Sequence, residues 1–259
     1  MASFAETELT RDAFLGGRVH LWQPKHGYRA GVDPVLLAAS VPARAGETVL
    51  ELGCGAGAAS ICLAVRVPGL SLAGVERQAA YAELARRNAA ENGTHLAVHC
   101  ADLREMPADL TQARFDHVIA NPPFYSLGRH ASPRDPGRAG GRIEDTPLTD
   151  WIAVAARRLK PRGLLHLIQH PERLPELLAA ASGRLGSMEV LPLAPREARA
   201  PSLLLFRARK EGRAAFRLHA PLILHAGASH DRDGESYRPE ILAILRKGEA
   251  LDWPSASSR

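Results

Sequence analysis

The chain reads as a doubly wound α/β fold: a Rossmann-like, seven-stranded, mostly parallel sheet with helices on both faces. Three observations predict it. Between residues 47 and 170 short apolar runs alternate with segments of helical period, the mark of βαβ units. A glycine-rich turn, Glu51-Leu-Gly-Cys-Gly-Ala-Gly57, follows the first of those runs directly. Acids (Glu51, Glu76 and Asp102) stand at the ends of three successive runs, and open α/β sheets bind ligands beyond the carboxyl ends of their strands.

Taken in order, residues 31–40 read as a short helix, with Asp33 at the N-cap and Pro34 at the first helical position. Residues 48–52 read as the first buried strand and 59–67 as its helix, stopped by Pro68 and Gly69. A second strand follows at 70–75, then a long helix at 78–91 that ends on Asn92 and Gly93. Residues 96–100 and 115–120 are the third and fourth strands. The stretch 126–147 is rich in Gly, Pro and Arg, and loops of this length in a compact domain are usually functional or disordered. Trp151, Val154, Ala155 and Leu159 fall at helical spacing, and Lys160-Pro-Arg-Gly163 ends that helix. Residues 164–168 are the fifth strand, 171–181 a helix, and 188–193 and 202–207 two last strands, expected to be antiparallel. The order of the strands is not readable from the sequence.

With 259 residues, 46% of them hydrophobic, the chain suits one compact domain with a substantial core. It divides into an N-terminal segment, 1–45, and a main domain, 46–259. No apolar run reaches the roughly 18 residues of a membrane span, and Glu6, Glu8 and Asp12 replace any basic-then-apolar leader, so a cytoplasmic enzyme is expected. Cys54, Cys62 and Cys100 form no CxxC pair and read as small buried hydrophobes, without a disulfide framework or zinc site. His166 and His170 have a spacing that suits metal ligation on a helix, but they fall on a strand, and no metal site is expected.

The net charge of +5 is unevenly spread. Arg129, Arg134, Arg138 and Arg142 face one acid, Asp135, between residues 126 and 142, and residues 196–217 hold seven basic side chains against two acids. Such stretches suit a polyanionic partner. A solvated arginine-rich surface accounts for them as well, and charge alone does not separate the two.

The motifs narrow the chemistry. Gly53, Gly55 and Gly57 after a strand allow a tight turn and close approach of a ligand, with a helix N-terminus behind. Nicotinamide enzymes use a similar turn. An acid at position 51 favours instead the ammonium or sulfonium end of S-adenosylmethionine, because it is a poor neighbour for a pyrophosphate. Glu76 is placed to accept ribose hydroxyls, and Asp102, with Leu103, to meet the adenine of the cofactor. The deciding motif is Asn121-Pro-Pro-Phe-Tyr125, directly after the fourth strand. An amine attached to an aromatic ring is a poor nucleophile because its lone pair is delocalised. The Asn121 carboxamide oxygen and the Pro122 carbonyl could each accept one of its N–H bonds and favour a pyramidal nitrogen as the new bond forms. Pro122 and Pro123 stiffen the turn. Phe124 offers a stacking face for a base.

These motifs, with Gln23-Pro-Lys-His-Gly-Tyr-Arg-Ala-Gly-Val-Asp33 and Leu36-Leu-Ala-Ala39 ahead of them, resemble the tRNA (adenine-N6) methyltransferases that modify valine tRNA next to its anticodon. The resemblance runs from about Thr10 to the end of the chain, including 196–208 and Pro221-Leu-Ile-Leu224. It implies a class I, S-adenosylmethionine-dependent enzyme acting on adenine N6 in RNA. It also implies that segment 1–45 covers the cofactor, with Tyr28, Arg29 and Asp33 helping to enclose it. Phe124 and Tyr125 would meet the base, and Arg129, Arg134, Arg138 and Arg142 the phosphates. The loop 126–147 is where such enzymes vary, so the resemblance transfers the reaction more safely than the particular nucleotide. Glutamine N5 in a protein and guanine N2 in ribosomal RNA are alternative acceptors; a silent RNA- or cofactor-binding module is the non-catalytic alternative.

Overall fold

The computed structural model describes residues 3–123, 146–227 and 236–254. The chain opens with an antiparallel hairpin, β1 (Leu9–Phe14) and β2 (Val19–Pro24), followed by α1 (Asp33–Ser40). Then come β3 (Thr48–Leu52), α2 (Ala58–Arg66), β4 (Ser71–Glu76), α3 (Ala79–Glu91), β5 (Leu96–Cys100), α4 (Ala108–Gln112) and β6 (Phe115–Ala120). After residue 145 the chain forms α5 (Leu148–Arg158), β7 (Leu159–Gln169), α6 (Leu174–Ala181), β8 (Gly186–Ala194) and β9 (Leu203–Arg209). Two short strands, β10 (Arg217–Leu218) and β11 (Leu222–Ile223), run along β8 before α7 (Pro239–Leu242) and a wide helical turn, Ala243–Lys247.

The seven expected strands are β3 to β9, in the order β8-β9-β7-β6-β3-β4-β5. β8 and β9 are antiparallel to one another, and β9 alone among the seven runs against the rest. Most of the sheet is covered on both faces, which explains why the sequence shows apolar runs instead of alternation. Val49, Ile119, Ile168 and Leu205 pack on the face of α1 and α2, while Leu50, Val118, Leu167 and Phe206 meet α5 and α6. Among the described residues no helix is long and apolar enough to cross a membrane.

Several boundaries differ from expectation. The helix ahead of β7 ends at Arg158, and Lys160 to Gly163 belong to the strand instead of a loop, with Arg162 at a φ of 66° accommodating the bend. Asp33 is not the N-cap: α1 begins at Asp33 itself, the Leu36 N–H bonds the Val32 carbonyl at 2.9 Å, and no side-chain cap bond forms. Cys54 and Cys62 are buried as expected, but Cys100, at the last position of β5, is exposed. The hairpin β1–β2 escaped the sequence reading because Arg11, Asp12 and His20 interrupt its apolar pattern. It is held against α3 by the Asn88 and Asn92 carboxamides, which bond the backbone N–H and C=O of Trp22 and His20.

Four of the seven basic residues of 196–217 bond partners within the protein, while Arg199, Arg209, Arg213 and Arg217 stand at exposed positions. Arg196 bonds the Ala226 and Gly227 carbonyls and the Ser236 hydroxyl, Arg207 bonds Glu189, Arg209 bonds the Arg162 carbonyl and Lys210 bonds that of Ala156. Arg129, Arg134, Arg138 and Arg142 lie outside the described residues.

Candidate active site

The carboxyl ends of β3 to β6 meet at one edge of the sheet, and β3 and β6 are neighbours, with Leu52 aligned on Ala120. The chain departs in opposite directions from this pair. Such a switch point leaves a crevice in which a ligand can bind. The turn 53–57 and the Asn-Pro-Pro turn therefore leave adjacent strands.

The glycines of the first turn do different things. All three have positive φ, between 52° and 85°. A Cβ on Gly55 would stand 3.4 Å from the ring of Tyr28, so Gly55 keeps the backbone open beneath that ring. A Cβ on Gly53 would lie 2.5 Å from the Trp151 indole. The expected ligand approach is thus joined, at Gly53, by a packing demand from α5 that the sequence does not announce. Gly57 begins α2 as its left-handed N-cap.

Glu51 is buried on β3 and accepts both the Ser60 N–H, at 3.0 Å, and the Ser60 hydroxyl. Burial pushes its pKa up to about 7 despite those bonds, and the nearby Glu76 adds to the rise. Glu76 accepts the Gly55 N–H at 3.0 Å and the Gln78 N–H at 2.8 Å, and burial raises its pKa also. Asp102 is more open. Its carboxylate is held at 2.8 to 3.0 Å by the backbone and guanidinium of Arg104, which keep it below the usual carboxylate range. Leu103 is buried beside it.

Tyr28 and Asp33 come from the N-terminal segment. The Tyr28 carbonyl accepts the Tyr81 hydroxyl at 3.0 Å, which fixes the segment over the glycine turn. The Tyr28 ring is half exposed, yet its hydroxyl end is buried near Glu51 and Asp33, and this holds its pKa well above the usual tyrosine range. Burial likewise raises Asp33, while His170 offsets part of the rise. Arg29 points elsewhere. Its guanidinium bonds Asp12 at 2.6 Å, with Thr10 and the Pro24 carbonyl at 2.8 Å, so it braces the hairpin that carries the segment.

Asn121 faces this cluster. Its Nδ2 donates to the Tyr28 hydroxyl at 3.3 Å, and its Oδ1 is buried with no hydrogen-bond partner among the described residues. A buried acceptor without a partner is costly, and it is the kind of atom that an incoming N–H satisfies. The Pro122 carbonyl accepts from Gln169 Nε2 at 3.3 Å, and the Pro123 carbonyl from Arg173 Nη1 at 3.2 Å. The sequence reading missed Gln169, Arg173, Ser60 and Tyr81; a polar residue closing an apolar strand, as Gln169 does, is the one signal that could have found any of them. Phe124 and Tyr125 lie outside the described residues.

The ligand this edge can hold follows from its charges. Among the described residues Glu51 has no ion-pair partner, and no lysine or arginine acts on Asp33. Buried carboxylates lacking a counter-charge favour a cation. S-adenosylmethionine fits that demand with its ammonium and sulfonium groups, while its ribose hydroxyls suit a carboxylate such as Glu76. Among the described residues no three His, Cys, Asp or Glu side chains are gathered as a metal site.

This sheet order, with its glycine turn, acids and Asn-Pro-Pro turn at one edge, defines an S-adenosylmethionine-dependent methyltransferase of the Rossmann-like class I type. The family model of the methyltransferase small domain matches residues 30–189. Two tRNA1(Val) (adenine(37)-N6)-methyltransferases of Porphyromonas gingivalis are 30% and 31% identical, over 90% and 83% of this chain and 93% and 86% of their own lengths. The chain belongs to that family. A protein of Agrobacterium tumefaciens described as a predicted O-methyltransferase superposes with a TM-score of 0.68 at 29% identity, covering 85% of this chain and 98% of that one. The Thermus thermophilus 16S rRNA N2 G1207 methyltransferase, in complex with AdoMet and guanosine, shares the fold at a TM-score of 0.54 and 21% identity, over 78% of this chain and 50% of that one.

Proposed function

We propose that this chain methylates the exocyclic N6 amine of an adenine in RNA, specifically a tRNA, in the cytoplasm. One observation carries the reading: the buried, unpartnered Oδ1 of Asn121 lies beside a carboxylate-lined edge, on a turn whose next carbonyl can accept a second N–H. Together they offer the two acceptors that an aromatic amine needs as its nitrogen becomes pyramidal. The P. gingivalis relatives, named for adenine N6 of a tRNA, support the choice of base and of RNA.

When bound, S-adenosylmethionine supplies a methyl group already activated by its sulfonium. Glu51 and Asp33 would hold its cationic end, Glu76 its ribose, and Asp102 and Leu103 its adenine, with Gly53, Gly55 and Gly57 shaping the turn beneath. Tyr28 would cover it, and Arg29 would hold the covering segment through Asp12. The chain's task at the acceptor is orientation: Asn121 and Pro122 align the amine, and the proline-stiffened turn needs little reorganisation to do so. A base in a single-stranded loop enters such a pocket at modest cost, because little stacking is lost.

The test is transfer of labelled methyl to unmodified valine tRNA transcribed in vitro, followed by nucleoside mass spectrometry. Methyl on adenine N6, abolished by Asn121→Ala with S-adenosylhomocysteine binding retained, is the expected result. Full activity of Asn121→Ala overturns the assignment, and methyl appearing on another base moves the acceptor.

A further inference from the structure

The Asn-Pro-Pro turn raises a structural problem. Proline has no N–H, so two consecutive residues of this turn offer the protein no backbone donor by which to hold them. Only their carbonyls and the two ends of the Asn121 carboxamide remain as handles, and the structure grips three of these four. Gln169, fully buried at the carboxyl end of β7, donates through Nε2 to the Pro122 carbonyl at 3.3 Å. Its own orientation is set because its Oε1 accepts the His170 N–H at 2.8 Å, which leaves Nε2 to face the turn. Arg173, 4% exposed, donates to the Pro123 carbonyl at 3.2 Å while Glu176 holds its guanidinium through three bonds of 2.8 to 3.0 Å. Tyr28 accepts the Asn121 Nδ2 proton through its hydroxyl. The one handle left ungripped among the described residues is Asn121 Oδ1.

We propose that Gln169, Arg173 and Tyr28 are positioning residues for the methyl transfer: the first two fix the Pro122 and Pro123 carbonyls, and the Tyr28 hydroxyl anchors the Asn121 carboxamide. This inference rests on the amine-methylation reading above. A carboxamide presents a donor at one end and an acceptor at the other; here the Tyr28 hydroxyl meets the NH2 end, which leaves Oδ1 for the amine. Gln169 uses one lone pair of the Pro122 carbonyl, and a carbonyl oxygen has two, so the second stays available to the substrate. Both acceptors are thereby held in place before the base arrives, and such preorganisation acts on the rate of the chemical step more than on binding.

The experiment compares Tyr28→Phe, Gln169→Met, Arg173→Met and Arg173→Lys in single-turnover methylation of the unmodified valine tRNA transcript. S-adenosylhomocysteine affinity is measured in parallel by calorimetry. Tyr28→Phe keeps the ring and removes only the hydroxyl; Gln169→Met keeps the volume. Each is expected to slow transfer by about tenfold, the value of one lost orienting hydrogen bond, with affinity for S-adenosylhomocysteine changed less than threefold. Arg173→Met should behave likewise, and Arg173→Lys, which retains a donor, should recover part of the rate. Unchanged rates in Tyr28→Phe and Gln169→Met overturn the proposal. So does a rate loss matched by an equal loss of S-adenosylhomocysteine affinity, since the residues would then serve the cofactor pocket or the fold. Failure of the underlying reading shows itself separately, as wild-type protein that binds S-adenosylhomocysteine but transfers no methyl to the tRNA.

Discussion

With Glu51 holding the cationic end of the cofactor as proposed, its raised pKa is expected to make cofactor affinity depend on pH. Burial lifts the carboxyl from an ordinary 4.5 to about 7, so near neutrality about half of the molecules carry it protonated. An ammonium group docking beside it requires the ionised form, and only the ionised fraction binds well. The apparent dissociation constant for S-adenosylhomocysteine, whose ammonium keeps its charge across this range, should therefore be roughly tenfold weaker at pH 6 than at pH 8, with most of the change below pH 7. Binding at pH 7 should release about half a proton, measurable by calorimetry in buffers of different ionisation enthalpy. Glu76 and Asp33 are shifted in the same direction. The share owed to Glu51 is isolated by Glu51→Gln, which should bind more weakly at pH 8 and lose most of the pH slope. The same variant tests the sign of the energetics. A folded-state pKa raised above the unfolded value means that stability is full below pH 4.5 and is lost as pH rises to 7. The loss amounts to about 3 kcal/mol. Without ligand, Glu51→Gln should consequently melt several degrees higher than wild type at pH 8, with its amide oxygen still able to accept from Ser60. An affinity that stays flat from pH 6 to 8, or a pH slope unchanged in Glu51→Gln, would refute the argument.

Two further predictions concern the frame. Gly53→Ala places a methyl 2.5 Å from the Trp151 indole at a φ of 63°, and overpacking together with left-handed strain should cost about 2–4 kcal/mol in urea denaturation; a loss below about 0.5 kcal/mol would show that Trp151 does not confine the turn. His117 and His166 predict acid lability. With both rings neutral, Glu47 accepts from His117 Nε2 at 3.1 Å, so His117 Nδ1 accepts from His166 Nε2 at 3.2 Å, leaving His166 Nδ1 bare and without a partner among the described residues. Burial lowers both pKa values, with Arg207 and Arg209 also opposing charge on His166. The unfolded chain therefore binds more protons, and stability should fall below pH 6.5 by up to about 1.4 kcal/mol per pH unit for each histidine. His166→Phe should flatten that slope in urea titrations at pH 5 to 7, and an unaltered slope would remove His166 as its source.

Much of the fold was legible because strands buried on both faces must be apolar throughout, and helices between them must follow a 3.6-residue period. The seven strands, the glycine turn, the three acids and the Asn-Pro-Pro turn all follow from local residue type and spacing. The hairpin β1–β2 was not legible, since its stability comes from Asn88 and Asn92 on a distant helix. Nor was the fate of the 196–217 arginines, because a charge in a sequence does not reveal whether a carbonyl or a carboxylate lies opposite.

The sequence by itself determined the chemistry on offer: carboxylates at strand ends, and a stiff turn carrying two acceptors. Only the tertiary structure decided how those groups are held. Strand order places β3 beside β6, which brings Glu51 and Asn121 to one edge from 70 positions apart. The N-terminal segment then brings Tyr28 to the Asn121 carboxamide, and β7 brings Gln169 to Pro122. Hydrogen bonds act over about 3 Å in space whatever the separation along the chain, so residue spacing cannot report them.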